Sequence, residues 1–126
     1  MSQSIADKLK PRFDERFFMQ VKLVLDGDIA VVSLSGRVEI EKTLSFKKAC
    51  LQNFSDKKVV FCMKNLSFVG SSGIQNLFNV LNDLNSNRKL NAKIAGLNPD
   101  FQRLFSFSEC SSLEVHESIE GALQSF

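Results

Sequence analysis

Two serines set between two glycines, Gly70-Ser71-Ser72-Gly73, are the residues of this chain best placed to do chemistry. A continuous apolar run, Val59-Val60-Phe61-Cys62-Met63, precedes them. An amphipathic pattern, Ile74, Leu77, Phe78, Leu81 and Leu84, follows at steps of three and four. The serines therefore fall where a strand hands over to a helix. Four chemistries fit such a place. One hydroxyl can cap the helix by accepting from one of the four N–H groups that lack a partner there. A serine at a strand–helix turn can be a nucleophile, as in G-x-S-x-G. Gly70, Ser71 and Ser72 fit the first three positions, but the fifth is Ile74. A serine nucleophile also needs a positioned base. The single histidine, His116, alternates with Leu113 and Val115 and reads as a strand residue. A phosphate-cradling P-loop needs G-x-x-x-x-G-K-[ST], which is absent. In the fourth reading a phosphate is written on the serine. The positive end of a helix stabilises a dianion, and close to two added charges would expel a protein packed on that surface.

Composition removes several other classes. Sixteen basic and 14 acidic residues give a net charge of +2, and the densest basic pairs, Lys47-Lys48, Lys57-Lys58 and Arg88-Lys89, lie far apart. No basic stripe for nucleic acid results. Cys50, Cys62 and Cys110 are odd in number, widely spaced and without a C-x-x-C. They read as small apolar residues of a reduced protein, not as zinc ligands. No cofactor is expected. The N-terminus has no apolar signal region and no run nears the roughly 20 apolar residues of a membrane helix, so a soluble, cytoplasmic protein is expected. A 44% hydrophobic and 24% charged chain of 126 residues is enough for one globular domain.

The elements that would position the serines read off by period. Residues 1–16 form a polar arm, with Phe13, Phe17 and Phe18 at helical spacing close to its end. Val21, Leu23 and Leu25 alternate as a half-buried strand. Asp26-Gly27-Asp28 signals a hairpin, and Ile29–Leu34 returns until Gly36 ends it. Residues 41–53 predict a helix with an imperfect stripe of Leu44, Cys50, Leu51 and Phe54. Ala92–Ala95 is a short strand, Asn98-Pro99-Asp100 opens a helix, Leu113 and Val115 suggest a last strand, and Ser118 caps a final helix. Strands alternating with helices imply a largely parallel sheet. The fold expected is α/β: a single domain over 17–126, with a central mixed sheet of four or five strands and about four helices mainly on one side. On the second-helix surface, Asn76, Asn79, Asn82 and Asn85 recur every three residues, either a tolerated solvent face or a hydrogen-bonding contact strip.

At these residues the chain resembles a family. "VVFCMKNLSFVGSSGIQNLFNVL" is similar to the central segment of STAS domains of the anti-sigma-factor antagonist type, in which Asp-Ser-Ser-Gly opens the second helix. "VVSLSGRVEIEKTLSFKKAC" and "IAGLNPDFQRLF" resemble that family's earlier strand, turn and first helix and its later strand–helix step. The resemblance covers about residues 17–126. It implies a binding protein and not an enzyme. The unmodified antagonist binds an anti-sigma factor that is also a serine kinase, is phosphorylated at the position of Ser72, lets go, and is reset by a phosphatase. It places Glu39 near the switch loop. The partner surface would comprise Gly70, Ser71, Ser72, Gly73, Ile74, Gln75, Asn76 and Asn79, with Ile74 open to a core reading as well. One departure stands out: Gly70 occupies the place of the family's aspartate. Either Ser72 is still phosphorylated with altered kinetics, or the domain is a divergent binder that is never modified. Constitutive docking in a larger assembly, such as a transporter regulator, is the alternative function, and a small serine hydrolase a further one. The arm is expected to add a weak dimer contact or to cover a sheet edge.

Overall fold

The hairpin forms where Gly27 supplies it. The computed structural model describes residues 19–38, 43–68 and 71–126, with the backbone alone for Met19, Gln20, Arg37, Val38, Thr43, Phe68, Ser71 and Ser72. Strands β1 (Met19–Asp26) and β2 (Ile29–Val38) pair antiparallel from Met19 opposite Gly36 to Asp26 opposite Ile29. Only Gly27 and Asp28 are left to turn the chain. Gly27 takes φ 63°, while Asp28 is not among the non-glycine residues with positive φ. A glycine at the first of two turn positions matches the twist of a hairpin.

From there the chain steps steadily across one sheet: α1 (Thr43–Phe54), β3 (Lys58–Phe68), α2 (Ser71–Ser86), β4 (Asn91–Ala95), α3 (Pro99–Ser106), β5 (Val115–His116) and α4 (Ile119–Gln124). The five strands lie in sequence order, and β2, β3, β4 and β5 run parallel. Each crossover moves to the next strand in the same direction. A single crossover hand then puts α1, α2 and α3 on the same face. Only α4, which follows the last strand, is free to fold onto the other.

Two cores result. On the main face Ala30, Val32, Leu34, Val59, Phe61, Met63, Ala92 and Ile94 meet Phe46, Ala49, Cys50 and Phe54 of α1 and the stripe of α2. Burial pushes the Cys50 thiol pKa up, so it packs as a neutral group. The aromatic centre is all phenylalanine: Phe61 lies between Phe46 and Phe54, with ring centroids at 5.7 and 6.3 Å, and Phe78 meets Phe105 edge-on at 5.1 Å. On the other face Val60 and Ala95 meet Ala122, with Ile29, Ile119, Leu123 and Phe126 around them.

Several details depart from the sequence expectation. Gly36 does not end β2, which runs on to Val38. Its φ of 96° lies just after a register irregularity between Ser33 and Ser35, where the strand is kinked but still paired. Leu44 is not on the buried stripe of α1 but 61% exposed; Phe46 takes that role. Phe101, Leu104 and Phe105, which the sequence offers as the buried face of the helix opened by Asn98-Pro99-Asp100, are only partly buried, packed at the rim of the core. Asn98 and Ser118 cap their helices as expected, accepting from Phe101 N–H at 2.9 Å and from Gly121 N–H at 3.1 Å. The arm at 1–16, with Phe13, and also Phe17 and Phe18, lie outside the described residues, as do Glu39 and Gly70.

Candidate functional site

Strand β3 carries the candidate site to the end of the sheet. Its last residues pair with the last residues of β2, Gly36 with Leu66 and Val38 with Phe68. Ser67 Oγ donates to the Gly36 carbonyl at 3.1 Å and ties the two ends together. Strands β2 and β3 therefore end side by side, at Val38 and Phe68. The helix that follows begins at Ser71, so Ser71 and Ser72 both lie in the first turn of α2.

The rest of α2 shows which of the expected contact residues face outward. Gly73 is buried, and Ile74 is fully buried at 0% exposure, in line with Leu77, Phe78 and Leu81. Ile74 is thus a core residue and not a partner contact. It is the first apolar step of the stripe, and the helix can lie on the sheet only with that stripe inward. Gln75 and Asn79 are exposed and Asn76 is half-buried. The first turn of α2 holds no acidic residue and the last turn no basic one, so the helix supplies no side-chain charge against the positive end of its own dipole. Beside it, Lys47 of α1 reaches Asp83 of α2 at 3.2 Å in an exposed pair. The exposed Leu44, in the first turn of α1, stands at the same end of the sheet and was missed because its spacing suited the stripe.

The asparagine row divides. Its upper members meet solvent, but Asn82 and Asn85 are structural. Asn82 accepts from Ser112 N–H at 3.0 Å, and its carbonyl accepts from Ser112 Oγ at 3.0 Å. Asn85 donates to the carbonyls of Ala92 at 2.9 Å and Ser112 at 3.1 Å and accepts from Ala92 N–H at 3.0 Å. The lower half of the row bolts α2 to β4 and to the turn before β5, which neither sequence reading anticipated. Asn79 Oδ1 lies 3.7 Å from Cys110 Sγ.

His116 is engaged elsewhere. Its Nε2 lies 3.2 Å from both Glu114 Oε1 and Ser125 Oγ. A base in a serine triad uses one ring nitrogen for the nucleophile and the other for the carboxylate; here both contacts fall on the same nitrogen. The register sets His116 opposite Ala95 in β4, which lies opposite Cys62, low on β3 and away from the α2 N-terminus. The same edge holds the one buried charged side chain among the described residues, Lys93, at 6% exposure. Its Nζ donates to Ser125 O at 2.9 Å and Ser125 Oγ at 2.7 Å, meets Glu114 at 3.4 Å and lies 4.5 Å over the Phe126 ring. Burial pushes the Glu114 carboxyl up, but hydrogen bonds from His116 and Lys93, and the charges behind them, outweigh it and hold it below the usual carboxylate range. Nothing in the sequence pattern marked Lys93, since strand alternation places it but cannot supply its partners.

A central strand feeding a serine pair into a helix, within a sheet of order 1-2-3-4-5 covered mainly on one face, defines the class of protein. The STAS domain family model matches residues 20–122, and the chain belongs to that family. Solved structures carry the same fold. An anti-sigma factor antagonist from Mycobacterium paratuberculosis is 16% identical at a TM-score of 0.65, over 85% of this chain and 92% of that one. The phosphorylated form of the Bacillus cell fate determinant SpoIIAA is 15% identical at 0.55, over 83% and 97%. The murine anion transporter Slc26a9 is 14% identical at 0.58, over 81% of this chain but 18% of the transporter. No curated protein matches by sequence. Among the described residues no helix is long and apolar enough to cross a membrane.

Proposed function

We propose that this STAS domain is an anti-sigma-factor antagonist that works by partner switching in the cytoplasm, as a binding module without a cofactor of its own. Unphosphorylated, it binds an anti-sigma factor that is also a serine kinase. Phosphorylation of Ser72 releases it, and a phosphatase resets it. The observation that carries this reading is the first turn of α2. It contains both serines, lacks any carboxylate, and is seated on the sheet by the fully buried Ile74. A phosphate there gains the dipole's field, worth about 1 kcal/mol, without any demand on the core. The cost falls on the partner, which would have to bury a dianion.

The partner surface in this reading comprises Gly70, Ser71 and Ser72, with Gln75, Asn76 and Asn79 on α2 and Glu39 after β2; Gly73, expected there from the sequence, is buried and drops out with Ile74. Gly70 removes the family's aspartate from beside the acceptor. The chain then carries one negative charge fewer there in both states, and phosphorylation still adds close to two. The test is intact-mass and phosphosite mapping of protein from its own cells, with Ser72→Ala alongside. One phosphate on Ser72, absent in the variant, with the variant retained by the kinase, is the expected result. Ser72 unmodified under every growth and stress condition would overturn the switch. The likeness of fold to a part of the murine anion transporter favours a second reading, constitutive docking in a larger assembly, for which co-purification with a membrane transporter is the discriminating result.

A further inference from the structure

We propose that two copies of this chain pair through their β1 edges, antiparallel and centred on Val24. Among the described residues strand β1 has β2 on one side and no strand on the other, so one row of its backbone N–H and C=O groups has no partner strand there. Such an edge is a template for another strand. It is not blunted by proline or by shortness: β1 is eight residues long. It also carries two of the four large apolar side chains exposed among the described residues, Val24 at 48% and Leu25 at 40%.

The occupant follows from the sequence of the strand itself. An antiparallel pair across a twofold axis at Val24 sets Val24 against Val24. It sets Lys22 of each copy against Asp26 of the other, and Leu25 of each against Leu23 of the other. Both exposed apolar residues gain a partner, and both charges, which make no ion pair with described residues, gain an opposite one. Shifting the axis to Leu23 sets Lys22 against Val24. Shifting it to Leu25 sets Val24 against Asp26 and requires Asp28, which already meets Lys58 at 3.5 Å. Lys22, Val24 and Asp26 alternate onto the face opposite the three crossover helices. On that face α4 covers the far part of the sheet, around Val60 and Ala95, and the cluster it forms among the described residues includes no residue of β1. The two five-stranded sheets would join into one, with both α2 N-termini remote from the seam. A pairing of so few residues buries less than a standard interface, so the dimer is weak.

The experiment is sedimentation equilibrium of the full chain up to about 1 mM, with Lys22→Asp, Asp26→Lys and the double variant beside the wild type. Wild type is expected to exceed the 14.1 kDa monomer mass as concentration rises. Each single variant sets like charges opposite each other twice, and is expected to weaken the dimer about tenfold or more. The double variant restores opposite charges and is expected to recover the dimer to within about threefold. Circular dichroism melts check that each variant is folded, and Val24→Lys, at a half-exposed site, provides an independent disruption. A wild type that stays monomeric throughout, a dimer indifferent to the single exchanges, or a double variant no better than the singles would each overturn the proposal.

Discussion

Replacing Ile74 by alanine separates a core residue from a contact residue at the head of α2. The side chain is fully buried, and the change removes three carbons beyond Cβ. At about 0.8 kcal/mol per buried methylene, the transfer loss is roughly 2.4 kcal/mol. A cavity adds to this, though only in part, because the first turn of a helix can settle inward more readily than its middle. The expected loss is about 3 kcal/mol, against roughly 5–15 kcal/mol for a whole domain, so the variant still folds. For a chain of this length that lowers the melting midpoint by roughly 10–15 °C. Urea titration gives the free energy directly, and the midpoint should fall with the slope unchanged. Ile74→Val should cost about 1 kcal/mol. Gln75→Ala, one residue along and exposed, should stay within about 0.5 kcal/mol of wild type. An Ile74→Ala midpoint within about 0.5 kcal/mol of wild type, combined with lost partner binding, would refute the core placement and return Ile74 to the interface.

Asn85→Asp replaces two donors by a carboxylate facing the carbonyls of Ala92 and Ser112. It should cost more than Asn85→Ala, itself about 1–3 kcal/mol, and denaturant midpoints order the two. Glu114→Gln tests the ion cluster at the β5 edge. The Glu114 pKa is depressed by folding, so its contribution is present above the ordinary carboxylate pKa, about 4.3, and is lost as pH falls through the lower folded value. The stability gap between wild type and Glu114→Gln should therefore be widest near neutral pH and close on acidification. It should stay under about 1 kcal/mol because the carboxylate is solvent-screened, and a gap that widens in acid contradicts the assignment.

Much of the architecture was legible because its signals are local. The two-residue turn at Gly27, the run Val59–Met63 and the α2 stripe each follow from backbone period and turn chemistry within a few residues. So did the caps at Asn98 and Ser118, where a side chain meets a backbone N–H three positions on. The strand–helix junction was legible in the same way: Ser71 and Ser72 open the amphipathic helix that follows a buried strand, and no tertiary contact is needed to put them there. What failed was the choice between faces. Leu44 and Phe46 both suit a helical stripe, and only the sheet beneath α1 selects Phe46. Ile74 begins the α2 stripe yet sits beside the glycine–serine turn, so spacing alone left it open.

The sequence by itself determined the element order, the hairpin, the strand–helix junction that holds Ser71 and Ser72, and the membership signalled by that junction. Each depends on residues adjacent in the chain. Tertiary structure decided the burial of Ile74, the outward turn of Leu44, the use of Asn82 and Asn85 as bolts to β4 and Ser112, and the enclosure of Lys93 by Glu114, Ser125 and Phe126. Those outcomes depend on groups 20 or more residues apart for Asn82 with Ser112 and for Lys93 with Glu114, Ser125 and Phe126. The energy of burying a polar group turns on whether such a partner arrives, and no local pattern encodes that.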